Sequence, residues 1–316
     1  MNSPRKVAIV GCGAISRAHA TAIEALPQVE LVALVDTDPA ALAKAESELG
    51  APGFATVADL IAAGGADAAC ICTPPALHNG IAEVLLAAGL DVLCEKPLSV
   101  SAAVAQAMIA SAADVNRALS VSDKFRHVGD LIEAGERLRL GEIGSPIHFA
   151  VCFCAPVGVR DRWPSDAALS GGGVLMDNGP HAFDVLSHVL DAPIEDLAAV
   201  FAKPSLAPPV EDTALLHFRT ESGSTGRIEL SWVYFTKDLD YLVIQGTEGT
   251  IRIGWTGGQL RHHGEREWMP FGSGYDKGAA FRGVWEAFLS SGPVAGNSRE
   301  GAAALEWIET AYDSAR

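Results

Sequence analysis

Between residues 6 and 97, short and almost continuous apolar runs alternate with helical patterns. The runs are KVAIVG (6–11), LVALVD (31–36), ADAACICTP (66–74) and DVLCEKP (91–97). A strand that is apolar along its whole length is buried on both faces, which demands helices on both sides of a parallel sheet. The intervening helices have readable ends. AISRAHATAIEAL (14–26) stops at Pro27, and LHNGIAEVLLAA (77–88) is closed by Gly89. The helix after LVALVD has Asp38 as N-cap, Pro39 at its first position and Gly50 just past its end. This order predicts an α/β fold, with a doubly wound Rossmann sheet over residues 1–122.

The pattern then changes. A helix fits about 127–140, and after it come PIHFAVCFCAP, AAVFAKP, DTALLHFRT, STGRIELSWVYF, DYLVIQGT and GTIRIGW. These read as strands joined by Gly, Ser and Thr turns, with one helix at 180–190 among them. Residues 123–316 are therefore expected to form a second, α+β domain on a large, mostly antiparallel open sheet. The amphipathic end, REGAAALEWIETAYDSAR, predicts a helix over 300–315 that packs back on the first domain.

A chain of 316 residues has room for two such domains, and 49% hydrophobic with 20% charged residues suits a globular protein with a sizeable core. The formal net charge of −16 argues against nucleic acid or an anionic membrane as partner. No apolar run is long enough to span a bilayer, and MNSPRKVAIVG leads almost directly into a strand without a cleavable signal, so the expected compartment is the cytoplasm. Cys12, Cys70, Cys72, Cys94, Cys152 and Cys154 contain no CxxC pair. Cys70/Cys72 and Cys152/Cys154 each face one side of a strand, and all six are read as buried reduced thiols.

Gly11-Cys12-Gly13-Ala14-Ile15-Ser16 lies between the first strand and the first helix. Gly11 suits a tight turn, Gly13 allows backbone to approach a pyrophosphate, and the helix opened by Ala14 and Ile15 would stabilise that anion. The third position is Ser16 where Gly or Ala is usual. Asp36 ends the next strand, about 25 residues beyond Gly11, where a carboxylate accepts from a ribose 2′-hydroxyl and repels a 2′-phosphate. Asp36 thus favours NAD over NADP. Asp38 adds to the repulsion or serves only as N-cap.

In an open parallel sheet, ligands bind beyond the carboxyl ends of the strands. Thr73, Pro74, His78, Glu95, Lys96 and Pro97 stand at two such ends. A Lys beside a nicotinamide ring can bind a substrate hydroxyl and relay its proton. Further on, Asp177, His181, Asp184 and His188 in GGGVLMDNGPHAFDVLSH fall at i, i+4, i+7 and i+11. On a helix they share one stripe, which fits a solvated face, a metal site or a proton-transfer site.

Together, GCGAIS, CTPPALH, CEKPLSV, LGEIGSPIHF, GGGVLMDNGPHAFDVL and IQGTEGTIRI resemble the Gfo/Idh/MocA oxidoreductases, the family of glucose-fructose oxidoreductase and inositol dehydrogenase. The likeness runs from residue 6 to the last helix. It implies that Lys96, Asp177 and His181 match the family's catalytic Lys, Asp and His, and that the Lys96–Pro97 bond is cis. It implies a polyol or sugar substrate and a homodimer or homotetramer built through the C-terminal sheet. Arg126 falls where relatives carry a residue facing cofactor or substrate, although Lys124-Phe125-Arg126 replaces their usual pattern. Arg160, Arg162 and Trp163 precede the glycines where relatives place substrate contacts.

The implied reaction is NAD-linked oxidation of a secondary hydroxyl on a sugar, sugar derivative or cyclitol, with proton transfer through Lys96 and His181. The alternatives are a redox-neutral NAD-dependent glycosidase of the same fold and a non-catalytic NAD(H)-binding protein. With Lys96 in the set, proton transfer accounts for the stripe and no metal is expected. Pro180 is expected in the first turn of its helix, which would leave Asp177 just outside it. The glycines 171–173 are expected to pass close to substrate and nicotinamide.

Overall fold

The computed structural model describes residues 3–160, 162–190, 192–202, 204–205, 210–236, 240–291 and 297–315. It divides into two units. One holds the chain up to Lys124 together with Lys277–Ala303, and the other holds Phe125–Asp276 and the chain from Ala304 on.

The first unit is wound strand by helix. Its elements are β1 (Arg5–Val10), α1 (Ala14–Glu24), β2 (Val29–Val35), α2 (Pro39–Leu49), β3 (Gly53–Phe54), α3 (Val57–Ala63), β4 (Ala68–Ile71), α4 (His78–Ala87), β5 (Asp91–Glu95), α5 (Ala102–Asp114) and β6 (Leu119–Ser122). The six strands are parallel in the order β3-β2-β1-β4-β5-β6. That order reverses between β1 and β4, which opens a ligand crevice beyond their carboxyl ends. The apolar runs are fully buried, as Val7, Ala8, Ile9, Cys70, Ile71, Leu93 and Cys94 show. The helix ends follow the sequence signals. Asp38 accepts from the Ala40 amide at 2.9 Å, and Gly50 closes α2 with a left-handed φ of 71°.

The second unit contains α6 (Gly129–Arg139), β7 (Pro146–Cys154), α7 (Ala167–Ser170), α8 (Val174–Val189), β8 (Ile194–Phe201), β9 (Thr213–Thr220), β10 (Thr225–Ser231), β11 (Asp240–Gly246), β12 (Gly249–Gly254), β13 (Gly257–His262) and β14 (Met269–Phe271). The strands form an eight-stranded sheet in the order β14-β13-β12-β11-β7-β10-β9-β8. Every pairing is antiparallel except β7 with β10. The alternation in TALLHFRT decides the facing. Ala214, Leu216 and Phe218 are buried beneath α8, whereas Leu215, His217 and Arg219 point outward.

Two further helices close the chain, α9 (Lys277–Ser290) and α10 (Ser298–Ser314). Although α9 follows the second sheet in sequence, it belongs to the first unit. Its Phe281, Val284, Trp285 and Phe288 share a core with Ala22, Ile23 and Leu26 at α1. Asn297 then acts as a substitute strand. Its Oδ1 accepts from the Val121 amide at 2.8 Å and its Nδ2 donates to the Val121 carbonyl at 2.9 Å. That double bond satisfies backbone groups on β6, an edge strand that otherwise offers them to another chain.

Candidate active site

The first strand-end loop carries its glycines for two different reasons. Gly11 has a φ of +96°, and a Cβ there would lie 2.7 Å from the Cys72 carbonyl carbon and 2.9 Å from the Thr73 nitrogen. Only glycine lets this turn cross the end of β4. A Cβ at Gly13 would meet nothing within 4 Å, and Gly13 starts α1 with no side-chain cap. The helix therefore begins, at Ala14 and Ile15, with amides open toward an uncrowded space, the arrangement that binds a pyrophosphate. Ser16 turns away from that space and donates to the Gly13 carbonyl at 2.6 Å.

Asp36 closes the loop from the end of β2. Its Oδ2 accepts from the Cys12 amide at 2.7 Å and its Oδ1 from the Asp38 amide at 2.9 Å. Each oxygen keeps a further acceptor site, so the carboxylate stays competent toward ligand hydroxyls. At the next strand end the Thr73 Oγ1 is buried and has no hydrogen-bond partner among the described residues. An orphaned hydroxyl on the binding rim is the kind of atom a ligand satisfies. The open Gly13, the uncapped helix, Asp36 and Thr73 together fit a dinucleotide.

His78 has a different place from that expected of a rim residue. It is fully buried, with Nε2 2.8 Å from the Thr73 carbonyl oxygen and Nδ1 3.1 Å from that of Pro97. Burial holds its pKa below the ordinary value against the opposing pull of these carbonyls. The imidazole thus ties the Thr73-Pro74 loop to the Lys96-Pro97 loop from beneath.

Glu95 is buried at the end of β5, and Lys96 follows it, half-buried, with a cis bond to Pro97. The Glu95 Oε1 meets His19 Nε2 at 2.9 Å, and its Oε2 accepts from the Lys96 amide at 3.2 Å. Burial pushes the carboxyl up, but the His19 hydrogen bond and the Lys96 and Lys124 charges outweigh it, and Glu95 ends below its usual value. It is a buried anion.

The second group of residues stands on α8. This helix starts at Val174, one turn earlier than expected, so Asp177 lies inside its first turn and Pro180 inside the helix. The early start has a remote cause. Gly173, the N-cap, has no side chain, and Glu211 supplies the missing acceptors, at 3.1 Å from the Gly173 amide and 3.0 Å from the Leu175 amide. Tyr312 donates to the same carboxylate at 2.8 Å.

Gly172 and Gly173 have a packing role in this device. A Cβ at Gly173 would lie 1.9 Å from the Glu211 carbonyl oxygen, and one at Gly172 would lie 2.2 Å from the Tyr312 hydroxyl. Gly171 takes a left-handed φ of 81° to close α7.

His181 is buried on α8 with its ring edge-on to Phe125 at 5.1 Å and near Phe153 at 6.3 Å. Asp177 is half-buried one turn before it. The rest of the stripe has structural uses. Asp184 accepts from Arg126 Nε at 3.1 Å, and His188 Nδ1 sits 3.0 Å from the Asp184 carbonyl. Burial pushes the Asp184 carboxyl up, opposed by Arg126 and His188. Arg126, the expected ligand-facing residue, is therefore held in a buried ion pair. Arg160, Arg162 and Trp163 are exposed, and Arg162 donates to the Gly158 carbonyl at 3.0 Å.

Among the described residues, the ligand atoms of His19, Cys70 and Cys72 gather within 4.8 Å of one another. That group does not suit an ion. His19 accepts from the Trp285 indole on Nδ1 at 3.2 Å and uses Nε2 for Glu95, so neither nitrogen has a lone pair left. Burial pushes the Cys70 and Cys94 thiols up, as expected for inert cysteines. Cys152 and Cys154 differ, being only half-buried on the outward sheet face. The Cys154 hydrogen bond and the Thr236 hydroxyl lower Cys152 to about 7 against the effect of its burial.

Known proteins are similar to this chain. Residues 5–123 match the model of an oxidoreductase family with an NAD-binding Rossmann fold, and residues 131–252 match the GFO/IDH/MocA C-terminal domain. The chain belongs to the Gfo/Idh/MocA family. It is 29% identical over 255 residues to D-apiose dehydrogenase of Paraburkholderia graminis, covering 78% of this chain and 67% of that one. It is 26% identical over 278 residues to the NAD(+)-dependent scyllo-inositol 2-dehydrogenase of Bacillus subtilis, covering 86% and 79%. In fold it matches levoglucosan dehydrogenase, solved with NADH and levoglucosan, with a TM-score of 0.88 at 19% identity over 99% and 97% of the chains. Among the described residues no helix is long and apolar enough to cross a membrane.

The sequence reading missed His19, Trp285, Glu211 and Tyr312. His19 had one visible signal, a lone His on the apolar face of α1, whose other buried members are Ser16, Ala20, Ala22 and Ile23. Glu211 and Tyr312 lie 36 and 137 residues beyond Leu175 and are joined to α8 only by folding.

Proposed function

We propose that this protein is an NAD-dependent dehydrogenase that oxidises a secondary hydroxyl of a sugar, sugar derivative or cyclitol. The observation that carries the reading is Lys96, whose backbone is anchored by the buried Glu95 carboxylate at the end of β5, on the same sheet as the glycine loop after β1. Bound NAD supplies the hydride acceptor. Gly11, Gly13, Ala14 and Ile15 hold its pyrophosphate, Asp36 its ribose, and Thr73 and Pro74 the rim beyond.

Within this reading Lys96 donates a hydrogen bond to the reacting hydroxyl and stabilises the negative charge that develops on it. His181 takes the hydroxyl proton, with its ring fixed against Phe125 and Phe153. Asp177, one turn earlier, orients substrate or His181. Arg160, Arg162 and Trp163, exposed on the loop before α7, are proposed to meet the distal part of the substrate. The names of D-apiose dehydrogenase and scyllo-inositol 2-dehydrogenase support a polyol or sugar substrate, and Asp36 supports NAD over NADP. The outward face of the second sheet is proposed to join copies of the chain.

The test is a screen of D-apiose, scyllo-inositol, levoglucosan and sugar phosphates for NAD reduction, with NADP in parallel. Lys96→Ala should lower turnover by at least about a hundredfold while NADH affinity changes only a few-fold. Wild-type turnover in that variant would remove Lys96 from the mechanism. Stoichiometric NADH marks a dehydrogenase, whereas release of a free sugar without net NADH marks the glycosidase.

A further inference from the structure

A polar chain crosses the core of the first unit, from α9 through α1 to the end of β5. The Trp285 indole N–H can only donate, so the His19 Nδ1 that receives it at 3.2 Å must accept. The imidazole hydrogen is then on Nε2, which donates to the Glu95 Oε1 at 2.9 Å. The Glu95 Oε2 in turn takes the Lys96 amide. His19 and Trp285 are each fully buried, and Phe281 packs edge-on against the His19 ring at 4.9 Å.

Stability does not account for this chain. Around Trp285 and His19 the surroundings are apolar, and buried charged or hydrogen-bonded sets of this kind are often replaced by well-packed apolar residues at no loss. What the set achieves is direction. Glu95 has its two oxygens engaged from opposite ends, by His19 and by the backbone of Lys96, so neither the carboxylate nor that backbone can turn.

We propose that His19, held in one tautomer by Trp285, is a positioning residue for Lys96, acting through Glu95. The inference rests on the reading of Lys96 as the group that meets the substrate hydroxyl. Other ionisable groups also face Glu95, namely Lys96, Lys124, His78 and the Cys70 and Cys94 thiols. His19 Nε2 and the Lys96 amide each hold one oxygen of its carboxylate.

The experiment compares His19→Leu, His19→Gln and Trp285→Phe with the wild type and with Lys96→Ala. Crystal structures locate Lys96, and NAD reduction with whichever of D-apiose, scyllo-inositol and levoglucosan is turned over gives kcat and KM. In His19→Leu the Lys96 ammonium should move by about 1 Å or more, and kcat should fall about tenfold to a hundredfold with the KM for NAD nearly unchanged. His19→Gln, which keeps a donor toward Glu95, should recover part of kcat. Trp285→Phe keeps the ring and removes only the indole donor, so it covers the case in which His19→Leu does not fold. It should lower kcat in the same direction and alter the pH profile, because the His19 tautomer is then no longer fixed by the indole donor. Unmoved Lys96 with unchanged kcat and pH profile, in variants that lose only melting temperature, would show that His19 merely docks α9 and would overturn the proposal. Full turnover in Lys96→Ala would instead refute the underlying reading of Lys96.

Discussion

Asp36 holds two backbone amides and, in the proposed function, a ligand ribose as well. It caps two backbone amides through one lone pair on each oxygen, and its charge remains beside the glycine loop. Replacing it by Asn keeps an acceptor and removes the charge. Asp36→Asn should therefore lower the KM for NADP and raise that for NAD, narrowing their ratio by about tenfold to a hundredfold, as steady-state kinetics with both nucleotides will measure. An unchanged ratio would mean that Asp36 only shapes the turn. Its role was legible because it depends on neighbours in sequence, a strand end and a glycine turn. His78 was not legible in that way. From the sequence it is one more polar residue on the rim, and only its full burial between two loops reveals a clamp.

The helix α8 depends on a cap that it does not contain. Glu211 is buried, and burial raises its carboxyl above the usual value despite hydrogen bonds from Tyr312, Leu175 and Gly173. A folded pKa above the unfolded one means that this group's stabilising contribution is complete below the unfolded pKa, near 4.5, and is lost as pH rises through the folded value. Urea midpoints from pH 4.5 to 8 should fall with pH more steeply in the wild type than in Glu211→Gln. Equal slopes would refute the assignment. The glycines give a second forecast at this scale. Gly173→Ala drives a Cβ into backbone and should destabilise by about 3 kcal/mol, whereas Gly172→Ala meets side-chain atoms, the Tyr312 hydroxyl and ring and the Met176 Cβ, and should cost less. Urea denaturation should rank them in that order. The helix itself was readable, but its start was misplaced by a turn. Pro180 advertises a first helical turn, and a cap supplied from residue 211 leaves no mark near residue 173.

Across the whole molecule, the second sheet has one face covered by α8 and the other turned outward. On that outer face Val200 of β8 and Leu215 of β9 are paired neighbours, 64% and 40% exposed. If this face joins copies of the chain, Val200→Glu with Leu215→Glu should reduce the solution mass to that of one chain by light scattering. An unchanged assembly would place the contact elsewhere. The sequence by itself determined the two kinds of sheet and the dinucleotide turn, and its resemblance to the family singled out Lys96, Asp177 and His181 as candidates. Each of these rests on local information: apolar periodicity, glycine where φ must be positive, and a short motif at a strand end. Only the tertiary structure decided that α9 returns to the first unit, that Trp285 and His19 brace Glu95, and that Glu211 with Tyr312 begins α8. Those pairings are hydrogen bonds between residues dozens to hundreds of positions apart. No periodicity encodes them, because their geometry exists only once the apolar cores have closed around them.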